Sequence, residues 1–398
     1  MLHTVPPAMP TKLHVTHVLN STSGGSAAST LQLIDALKEH GVTSSLICFE
    51  NGTPQIRQQI TDRLEGRALF RPLFWTNKRI RTAAWKRPLV EGKSWLETLG
   101  GKRFLKEFTA FARSHSTDLI HSSTLVTAEG PLLARKLGIP HLYHGRELIG
   151  PGQPYQFYRF DRWVKQQLAA SSAIIANSQV TLANYKQFFP EQHLRYIPNG
   201  VPVNSFTPKF HEERTPVVVG MVGNLTTRWK DHPRLVDLAL ACLERGLPVE
   251  FRMYGQLPNP EDEYVRGMRE KIEKAGAESQ IRMMGFVSDP ALIMQELDIL
   301  VHATPHESFG RIFVEAMAGG LPLVAAKGGG ALDLVRPNET GYLFETNSDA
   351  VEALTRLVEQ PDLRNQLGQT GRKVAEQEFE IHRVAEQVRA LYDEILPG

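Results

Sequence analysis

Short apolar, β-branched runs alternate with amphipathic windows of helical period along most of the chain. This alternation predicts α/β architecture, with parallel sheets covered by helices on both faces. The first run, Leu13–Leu19, leads into a Gly/Ser loop at Asn20–Gly25 and then into apolar positions spaced for a helix over residues 26–40. Gly41 is expected to end this helix.

The other apolar runs form two series, separated by turn residues between Ile197 and Pro208. Further strands of the first series are predicted at residues 45–49, 119–121, 140–144 and 173–176. Strands of the second series are predicted at residues 216–222, 249–254, 281–284, 298–302 and 321–325. Helical windows at residues 348–377 and 381–396 close the chain. We therefore expect two domains, residues 1–205 and 206–379.

Length and composition agree with this division. A chain of 398 residues is too long for one ordinary hydrophobic core, and 41% hydrophobic with 22% charged residues is usual for a soluble protein. The net charge of +2 offers no general case for a nucleic-acid partner, and we expect none. Cys48 and Cys242 lie in apolar stretches without metal-ligand spacing, which argues against a zinc site or a disulfide framework.

Two further absences in the sequence predict the compartment. The first residues lack the long apolar region of a signal peptide, and no apolar run approaches the roughly 20 residues of a membrane helix. We therefore expect a soluble, cytoplasmic protein.

The most informative segment runs from His306 to Pro322 and reads HESFGRIFVEAMAGGLP. It joins two predicted strands through a glycine-containing loop and a helix. Backbone N–H groups at such a helix N-terminus, together with its positive dipole end, suit a phosphate. The loop and first turn comprise Ser308, Phe309, Gly310, Arg311 and Ile312.

Two acids flank this turn. Glu307 and Glu315 are eight residues apart, so both point to roughly the same side of the helix. They could hold hydroxyls at the two ends of a sugar nucleotide whose diphosphate lies on the amides. The alternative is an acid that favours the helix dipole and a second acid on a solvated face.

A second loop follows the predicted strand that ends at Val222. It begins with Gly223 and Asn224 and carries two cations, Arg228 and Lys230. The carboxyl end of a strand is where an open α/β sheet places ligands, and these cations could neutralise a leaving diphosphate. The alternative is two solvated side-chain tips.

In the first half, Gly24 and Gly25 lie between a strand and a helix, and His144 ends a predicted strand. The glycines could serve a ligand or a mere tight turn. The histidine could contact a sugar hydroxyl or be a satisfied structural residue.

In order along the chain, these motifs resemble the retaining glycosyltransferases of the GT-B fold, family 4. The block from Glu307 to Pro322 is the most specific element. The others are Gly24-Gly25, His144, Asn177-Ser178, residues 197–201, residues 223–230, Gly285-Phe286-Val287, residues 328–330, Asp333 and residues 341–343. The resemblance implies two Rossmann-like domains that face each other across a cleft, with a final helix, residues 380–398, that returns to the first domain.

The resemblance also implies roles for single residues. By its pattern, Glu307 contacts the donor sugar, Glu315 the nucleotide ribose, Lys230 the diphosphate and His144 the transferred sugar. The segment Gly285-Phe286-Val287 resembles the one that frames the base.

This chain departs from the family pattern at two positions. Asn224 stands where many relatives carry an arginine, so Arg228 is the candidate for the missing cation. Gln256 replaces the usual acid of its segment, which bears on the choice of donor.

The implied activity is transfer of a sugar, with retention, from a nucleotide-diphosphate sugar to a hydroxyl of a glycan or lipid-linked glycan in cell-surface polysaccharide synthesis. No Asp-x-Asp motif appears, so we expect neither a metal nor a cofactor. A nucleotide-sugar epimerase or a phosphorylase on the same architecture is the alternative among enzymes. A dinucleotide oxidoreductase is disfavoured because the Gly220–Gly223 turn lacks a following glycine. A catalytically inactive interaction protein is disfavoured by the set of candidate residues.

Residues 67–113 are locally basic, with twelve Lys or Arg against three Glu. Interleaved with them are Phe70, Phe74, Trp75, Trp85 and Trp95. Cations with aromatics suit an anionic membrane surface, which predicts peripheral binding at the inner face of the membrane. The alternative is a solvated loop with core aromatics.

Overall fold

The computed structural model describes residues 12–73, 77–78, 104–125, 127–150, 156–157, 166–190, 192–209, 215–259 and 262–397. The chain divides into two compact units. The first comprises Met1–Gly200 with Ile381–Gly398, and the second comprises Val201–Glu380. The sequence places this boundary between residues 205 and 206, whereas the structure divides the chain after Gly200.

The first unit is built on a parallel sheet that has seven strands among the described residues, in the order β3-β2-β1-β5-β6-β8-β9. These strands are β1 (Leu13–Leu19), β2 (Val42–Phe49), β3 (Ala68–Arg71), β5 (Leu119–Ser122), β6 (His141–Gly145), β8 (Ala173–Ala176) and β9 (Leu194–Tyr196). A short antiparallel pair consists of β4 (Asn77–Lys78) and β7 (Gln156–Phe157). The sequence pattern does not predict β3 and β9 as strands, because these edge strands are short and only partly buried.

The first unit also contains helices between and after these strands along the chain. They are α1 (Gly24–Glu39), α2 (Pro54–Arg63), α3 (104–114), α4 (Glu129–Leu137), α5 (166–169) and α6 (Gln179–Phe188), followed at the C-terminus by α14 (Ile381–Ile395). The prediction that Gly24 and Gly25 belong to a loop is wrong, because α1 already begins at Gly24. Ser23 is extended, and Gly24 turns the chain into the helix with a φ of +85°, which glycine adopts without strain.

The helix α14 packs within the first unit. Its apolar face, which includes Val384, Val388 and Leu391, shares one hydrophobic core with Val15 of β1 and Leu37 of α1. Complete burial of such a side chain contributes on the order of 1.5–3 kcal/mol, so this face is sufficient to hold the helix in place.

The second unit has six parallel strands among its described residues, in the order β12-β11-β10-β13-β14-β15. They are β10 (Val217–Val222), β11 (Val249–Tyr254), β12 (Ile281–Gly285), β13 (Ile299–His302), β14 (Leu323–Ala326) and β15 (Gly341–Phe344). Numbered within this unit, the order is 3-2-1-4-5-6, which is that of a Rossmann sheet. The prediction of two Rossmann-like α/β domains is therefore confirmed.

Helices cover both faces of the second sheet, with a separate hydrophobic core on each face. The helices are α7 (His232–Glu244), α8 (Glu263–Lys274), α9 (Pro290–Glu296), α10 (Arg311–Ala318), α11 (Ala331–Leu334), α12 (Asn347–Glu359) and α13 (Pro361–Glu378). The single helical window expected over residues 348–377 is wrong, since α12 and α13 are separate helices. The break falls at Gln360, because a residue that precedes a proline is disfavoured in the helical conformation.

Candidate functional site

The second sheet changes its direction of winding between β10 and β13, which are hydrogen-bonded neighbours. In open α/β sheets, ligands bind outside the carboxyl ends of the strands at such a switch point. Gly223 follows β10, and the loop that carries Glu307 follows β13. The two chemically informative loops of the sequence therefore emerge side by side.

At this point Lys230 and Glu307 form an ion pair and hydrogen bond. Their side chains are only 19% and 20% exposed. The alternative that Lys230 is a solvated tip is therefore wrong. The imidazole of His302, the last residue of β13, approaches the same carboxylate, with Nε2 3.4 Å from Oε2 of Glu307. His302 is not among the residues predicted from the sequence, because a histidine inside an apolar strand belongs to no motif.

The carboxyl group of Glu307 is ionised despite its burial. Burial by itself would raise its pKa, but the Lys230 ammonium and the contact with His302 outweigh this effect and hold the pKa well below the usual range. The site thus carries a fixed negative charge beside a fixed positive one.

The backbone around Gly223 supports Lys230. A Cβ atom at Gly223 would lie 3.4 Å from both Cγ and Cδ of Lys230, so the lysine stem lies across the glycine backbone. His232, which is fully buried, contacts the carbonyl of Gly223 through Nε2 at 3.1 Å. Lys230 itself lies in a 3-10 turn, Arg228–Lys230, which ends where Asp231 takes a φ of +58°.

Arg228 faces a different set of partners from Lys230. Its guanidinium lies 5.7 Å from the ring centroid of Tyr264 and 3.8 Å from the carboxylate of Asp262, and its side chain is half exposed. Asn224 accepts a hydrogen bond from the backbone N–H of Gln256 at 3.1 Å, which links the loop after β10 to the loop after β11.

Helix α10 begins beside Glu307. Gly310 is its N-cap, with a φ of +84°, and a Cβ atom there would lie 2.4 Å from the ring of Phe313. Only glycine fits this position without strain. The N–H groups of Arg311 and Ile312 belong to the first turn, for which the helix itself supplies no acceptors. They are thus suited to an anion, as the sequence predicts.

The glycine-rich segment Gly328-Gly329-Gly330 packs against the loop that carries Glu307. The N–H of Gly330 donates to the carbonyl oxygen of Glu307 at 2.7 Å. A Cβ at Gly329 would lie 2.1 Å from that same oxygen, and one at Gly330 would lie 2.2 Å from the carbonyl oxygen of Phe309. Because they lack side chains, these glycines let their backbone contact the backbone of residues 307–309. This contact fixes the position of the Glu307 main chain.

Glu315 lies in the middle of α10 and is 8% exposed. The alternative that places it on a solvated face is therefore wrong. Its carboxylate accepts a hydrogen bond from Nε of Arg311 at 2.6 Å. Burial raises the pKa of this carboxyl group, and the Arg311 guanidinium opposes the rise.

The segment after β12 presents an aromatic ring to solvent. Gly285 has a φ of +82°, and its carbonyl accepts a hydrogen bond from Gly255 at 2.9 Å. Phe286 is 71% exposed, whereas Val287 packs against one of the two hydrophobic cores of the second unit. An exposed ring of this kind can stack on a planar ligand.

The first unit contains a row of buried histidines. His144, at the carboxyl end of β6, is 2% exposed, and its ring stacks on His121 with centroids 5.5 Å apart and an interplanar angle of 7°. Burial, with the nearby Arg146 and His17, holds the pKa of His144 well below its usual value. Within the described part of the chain, Nε2 of His144 has no hydrogen-bond partner, unlike a satisfied structural histidine.

Gly24 and Gly25 lie at the start of α1, and a Cβ atom on either would meet nothing within 4 Å. Close packing therefore does not explain these two glycines. The positive φ of Gly24 does explain that residue.

Two family models match consecutive parts of the chain. "Glycosyltransferase Family 4" matches residues 23–205, and "Glycosyl transferases group 1" matches residues 204–374. The chain belongs to the group 1/family 4 glycosyltransferases. Membership of this family agrees with the resemblance drawn from the sequence.

Two of the curated relatives of this chain come from Staphylococcus aureus. The capsular polysaccharide biosynthesis glycosyltransferase CapM is 30% identical over 200 residues, which is 48% of this chain and 50% of CapM. A poly(ribitol-phosphate) alpha-N-acetylglucosaminyltransferase is 20% identical over 263 residues, 65% of this chain and 51% of that protein. The chain thus spans about half the length of these relatives. Neither supports the alternative of a nucleotide-sugar epimerase.

Among solved structures, Anabaena HepE in complex with UDP superimposes with a TM-score of 0.75 at 20% identity. The match covers 96% of this chain and all of HepE. At this identity the likeness shows the fold, which is GT-B.

Most of the basic aromatic segment lies outside the described residues, including Phe74, Trp75, Trp85 and Trp95. Of its described cations, Arg67 pairs with Glu65 at 2.9 Å, and Nε of Arg71 donates to Glu107 at 3.0 Å. The membrane contact therefore stays a prediction. Within the described ranges, no helix is sufficiently long and apolar to cross a membrane.

Proposed function

We propose that this chain transfers a sugar, with retention of anomeric configuration, from a nucleotide-diphosphate sugar to an acceptor hydroxyl. The observation that carries the proposal is the Lys230–Glu307 pair at the switch point of the second sheet, beside the first turn of α10. A cation, helix amides and an ionised carboxylate are the three groups that a sugar diphosphate requires there.

The diphosphate lies on the amides of α10 and takes Lys230 as its counter-ion. Lys230 then exchanges its contact with Glu307 for a contact with phosphate oxygen, and the carboxylate of Glu307 becomes available to the hydroxyls of the donor sugar. Arg228 adds a second positive charge from the same turn. As the diphosphate departs, these fixed charges stabilise the negative charge that develops on it.

The nucleoside binds next to this centre. Glu315 accepts hydrogen bonds from the ribose hydroxyls, and Arg311 keeps its carboxylate in place, as their 2.6 Å contact supports. The exposed ring of Phe286 stacks on the base, with Gly285 and Val287 framing it. Asn224 and Gln256 link the adjacent loops and bear on the choice of nucleotide.

The acceptor hydroxyl attacks from the face that the diphosphate leaves, so the configuration is retained. The proposed mechanism uses no covalent carboxylate nucleophile, in contrast to the retaining hydrolases with their paired carboxylates. His144, held neutral by burial, offers its unpartnered Nε2 to a hydroxyl of the transferred sugar. The reaction uses neither a metal nor a cofactor.

The acceptor is a glycan or lipid-linked glycan of the cell surface. The names of the two Staphylococcus relatives, a capsular polysaccharide enzyme and a poly(ribitol-phosphate) transferase, support this class. An acceptor held at a membrane would suit a cytoplasmic protein that binds the inner face through the basic residues 67–113.

Thermal unfolding with UDP-, GDP- and ADP-sugars tests the donor class, because a ligand that binds only the folded state raises the midpoint by mass action. Sugar nucleotides of one base are expected to raise the unfolding midpoint. When the protein is incubated with such a donor carrying a labelled sugar, we expect the label to be transferred slowly to water or to an added glycan. Isomerisation of the sugar nucleotide without transfer would refute the proposal. So would the absence of stabilisation by every donor.

A further inference from the structure

His302 is a buried histidine that approaches the Glu307 carboxylate. It ends β13 and is 1% exposed. Its Nε2 lies 3.4 Å from Oε2 of Glu307, and its ring meets that of Phe313 edge to face, with centroids 4.9 Å apart. The Lys230 ammonium and the His302 imidazole therefore approach the same oxygen, Oε2, of Glu307.

The surroundings of His302 favour a neutral ring. Burial lowers its pKa, and the Lys230 ammonium adds to this effect, while Glu307 opposes both. The other titratable neighbour is His232, itself buried and with a lowered pKa. Neither ring nitrogen of His302 makes a hydrogen bond in the described part of the chain, although Nε2 lies 3.4 Å from Oε2 of Glu307. A second ring proton, on Nδ1, would therefore lack an acceptor.

We propose that His302 is a positioning residue that holds the carboxylate of Glu307 through a proton on Nε2 while the donor is bound. This inference rests on the proposed function, in which Lys230 turns from Glu307 to the diphosphate. Among the described residues, His302 is then the remaining side-chain partner of Glu307. The 3.4 Å separation shortens to a hydrogen bond at that stage, since catalytic hydrogen bonds often tighten only in the complex.

The backbone already restricts Glu307 strongly, which makes a side-chain anchor effective. The carbonyl of Glu307 accepts from Gly330 at 2.7 Å, and Gly329 packs against the same oxygen. With the main chain held in this way, only the side-chain torsions of Glu307 stay free, and His302 limits them. Glu307 would otherwise rotate toward any other hydrogen-bond donor in the bound complex.

A spectroscopic test does not depend on activity. In the full-length protein with ¹⁵N-labelled histidine, the signal lost in His302→Phe identifies His302. At about pH 6.5 the ring is expected to be neutral with its proton on Nε2, and its resonances are expected to shift in Glu307→Gln. A charged ring, a proton on Nδ1, or no response to Glu307→Gln would overturn the proposal.

Kinetics test whether the contact serves turnover. His302→Phe keeps an aromatic ring in the buried site but removes the donor, and we expect kcat to fall roughly tenfold to a hundredfold with little change in the donor KM. The acid limb of the pH profile should move to higher pH, because Glu307 loses a group that lowers its pKa. His302→Gln, whose amide can donate, should recover part of kcat.

The matched control is His382→Phe, at an exposed histidine of α14 outside the candidate site. It should leave kcat and the pH profile unchanged. A His302→Phe protein with wild-type kcat and pH profile overturns the positioning role. If Lys230→Ala and Glu307→Gln also retain full turnover, the proposed function itself fails, and the spectroscopic result still decides whether His302 holds Glu307.

Discussion

The ammonium of Lys230 contacts the carboxylate of Glu307, although 77 positions separate the two residues in the chain. The pairing of β10 with β13 brings them together, because each residue lies in the loop that follows one of these neighbouring strands. Both side chains are largely buried, so the ion pair is screened less by salt than a surface pair.

Removal of the Lys230 ammonium should slow the transfer strongly. We expect Lys230→Ala to reduce turnover by roughly 10²–10³, the usual effect of losing one preorganised charge stabiliser. Steady-state kinetics with the donor found by thermal shift measure the effect. Lys271→Ala, which breaks an exposed pair with Asp237, serves as the control and should keep its turnover. Equal turnover in the two variants would exclude Lys230 from the mechanism.

Arg228 should matter less than Lys230. It is half exposed and lies against Tyr264, so its charge is better screened by water than that of Lys230. Arg228→Ala is therefore expected to lose less turnover than Lys230→Ala under the same assay. A larger loss in Arg228→Ala would assign the main diphosphate contact to the arginine.

Gly310→Ala should destabilise the second unit. A side chain at a φ of +84° costs about 1–2 kcal/mol, and the added Cβ collides with the ring of Phe313. The midpoint of thermal unfolding should fall by at least a few degrees. Gly25→Ala is the control, since a Cβ there meets open space inside a helix. A midpoint that falls no further in Gly310→Ala than in Gly25→Ala would contradict the assigned strain.

Acid should destabilise the first unit through buried histidines. Burial lowers the pKa of His17 and of His141 from 6.5 to about 3, so both are neutral in the folded state. The unfolded chain binds these protons as the pH falls below 6.5, and each histidine therefore costs about 2 kcal/mol of stability at pH 5. Urea unfolding at pH 7 and pH 5 measures the loss.

His141→Asn provides the comparison for this pH dependence. His141 contacts the hydroxyls of Ser122 and Ser171, both at 2.9 Å, so its removal lowers stability at every pH. The difference in stability between pH 7 and pH 5 should nevertheless become smaller in the variant. An unchanged difference would show that His141 does not carry the effect.

A chelator should leave the transfer unaffected. The proposed stabilisation of the diphosphate uses Lys230, Arg228 and the α10 amides, and the sequence has no Asp-x-Asp motif. The measurement compares initial rates in EDTA with rates in added Mg²⁺ or Mn²⁺. Loss of activity in EDTA that is restored by a divalent ion would show that the reaction requires a metal.

Several elements could be predicted from local pattern alone. The strand Leu13–Leu19 agrees with its apolar run, and the central strands of both sheets lie close to their predicted positions. The strand Gly341–Phe344, at the edge of the second sheet, is absent from the prediction. The edge strands Ala68–Arg71 and Leu194–Tyr196 are not predicted, because strands this short and only partly buried carry too few residues to show a periodic pattern. Pro361, at the start of α13, marks the break between α12 and α13 in the sequence itself.

Only part of the candidate site can be predicted from local sequence patterns. Glu307, Lys230 and Gly310 belong to local motifs, whereas His302 belongs to none. Its importance depends on a contact with Glu307 across a strand end, and on burial that no pattern of neighbouring residues reveals. The pairing of Arg311 with Glu315 follows helical spacing, yet the burial of that pair does not.

The order of residues by itself determined the alternation of strand and helix, the two-unit plan and the motif that identifies the family, because each depends on spacing within a few turns of chain. Only the tertiary structure decided which charges meet and which imidazoles stay neutral. Strand order brings distant loops together, and the resulting exclusion of water sets the pKa of each group.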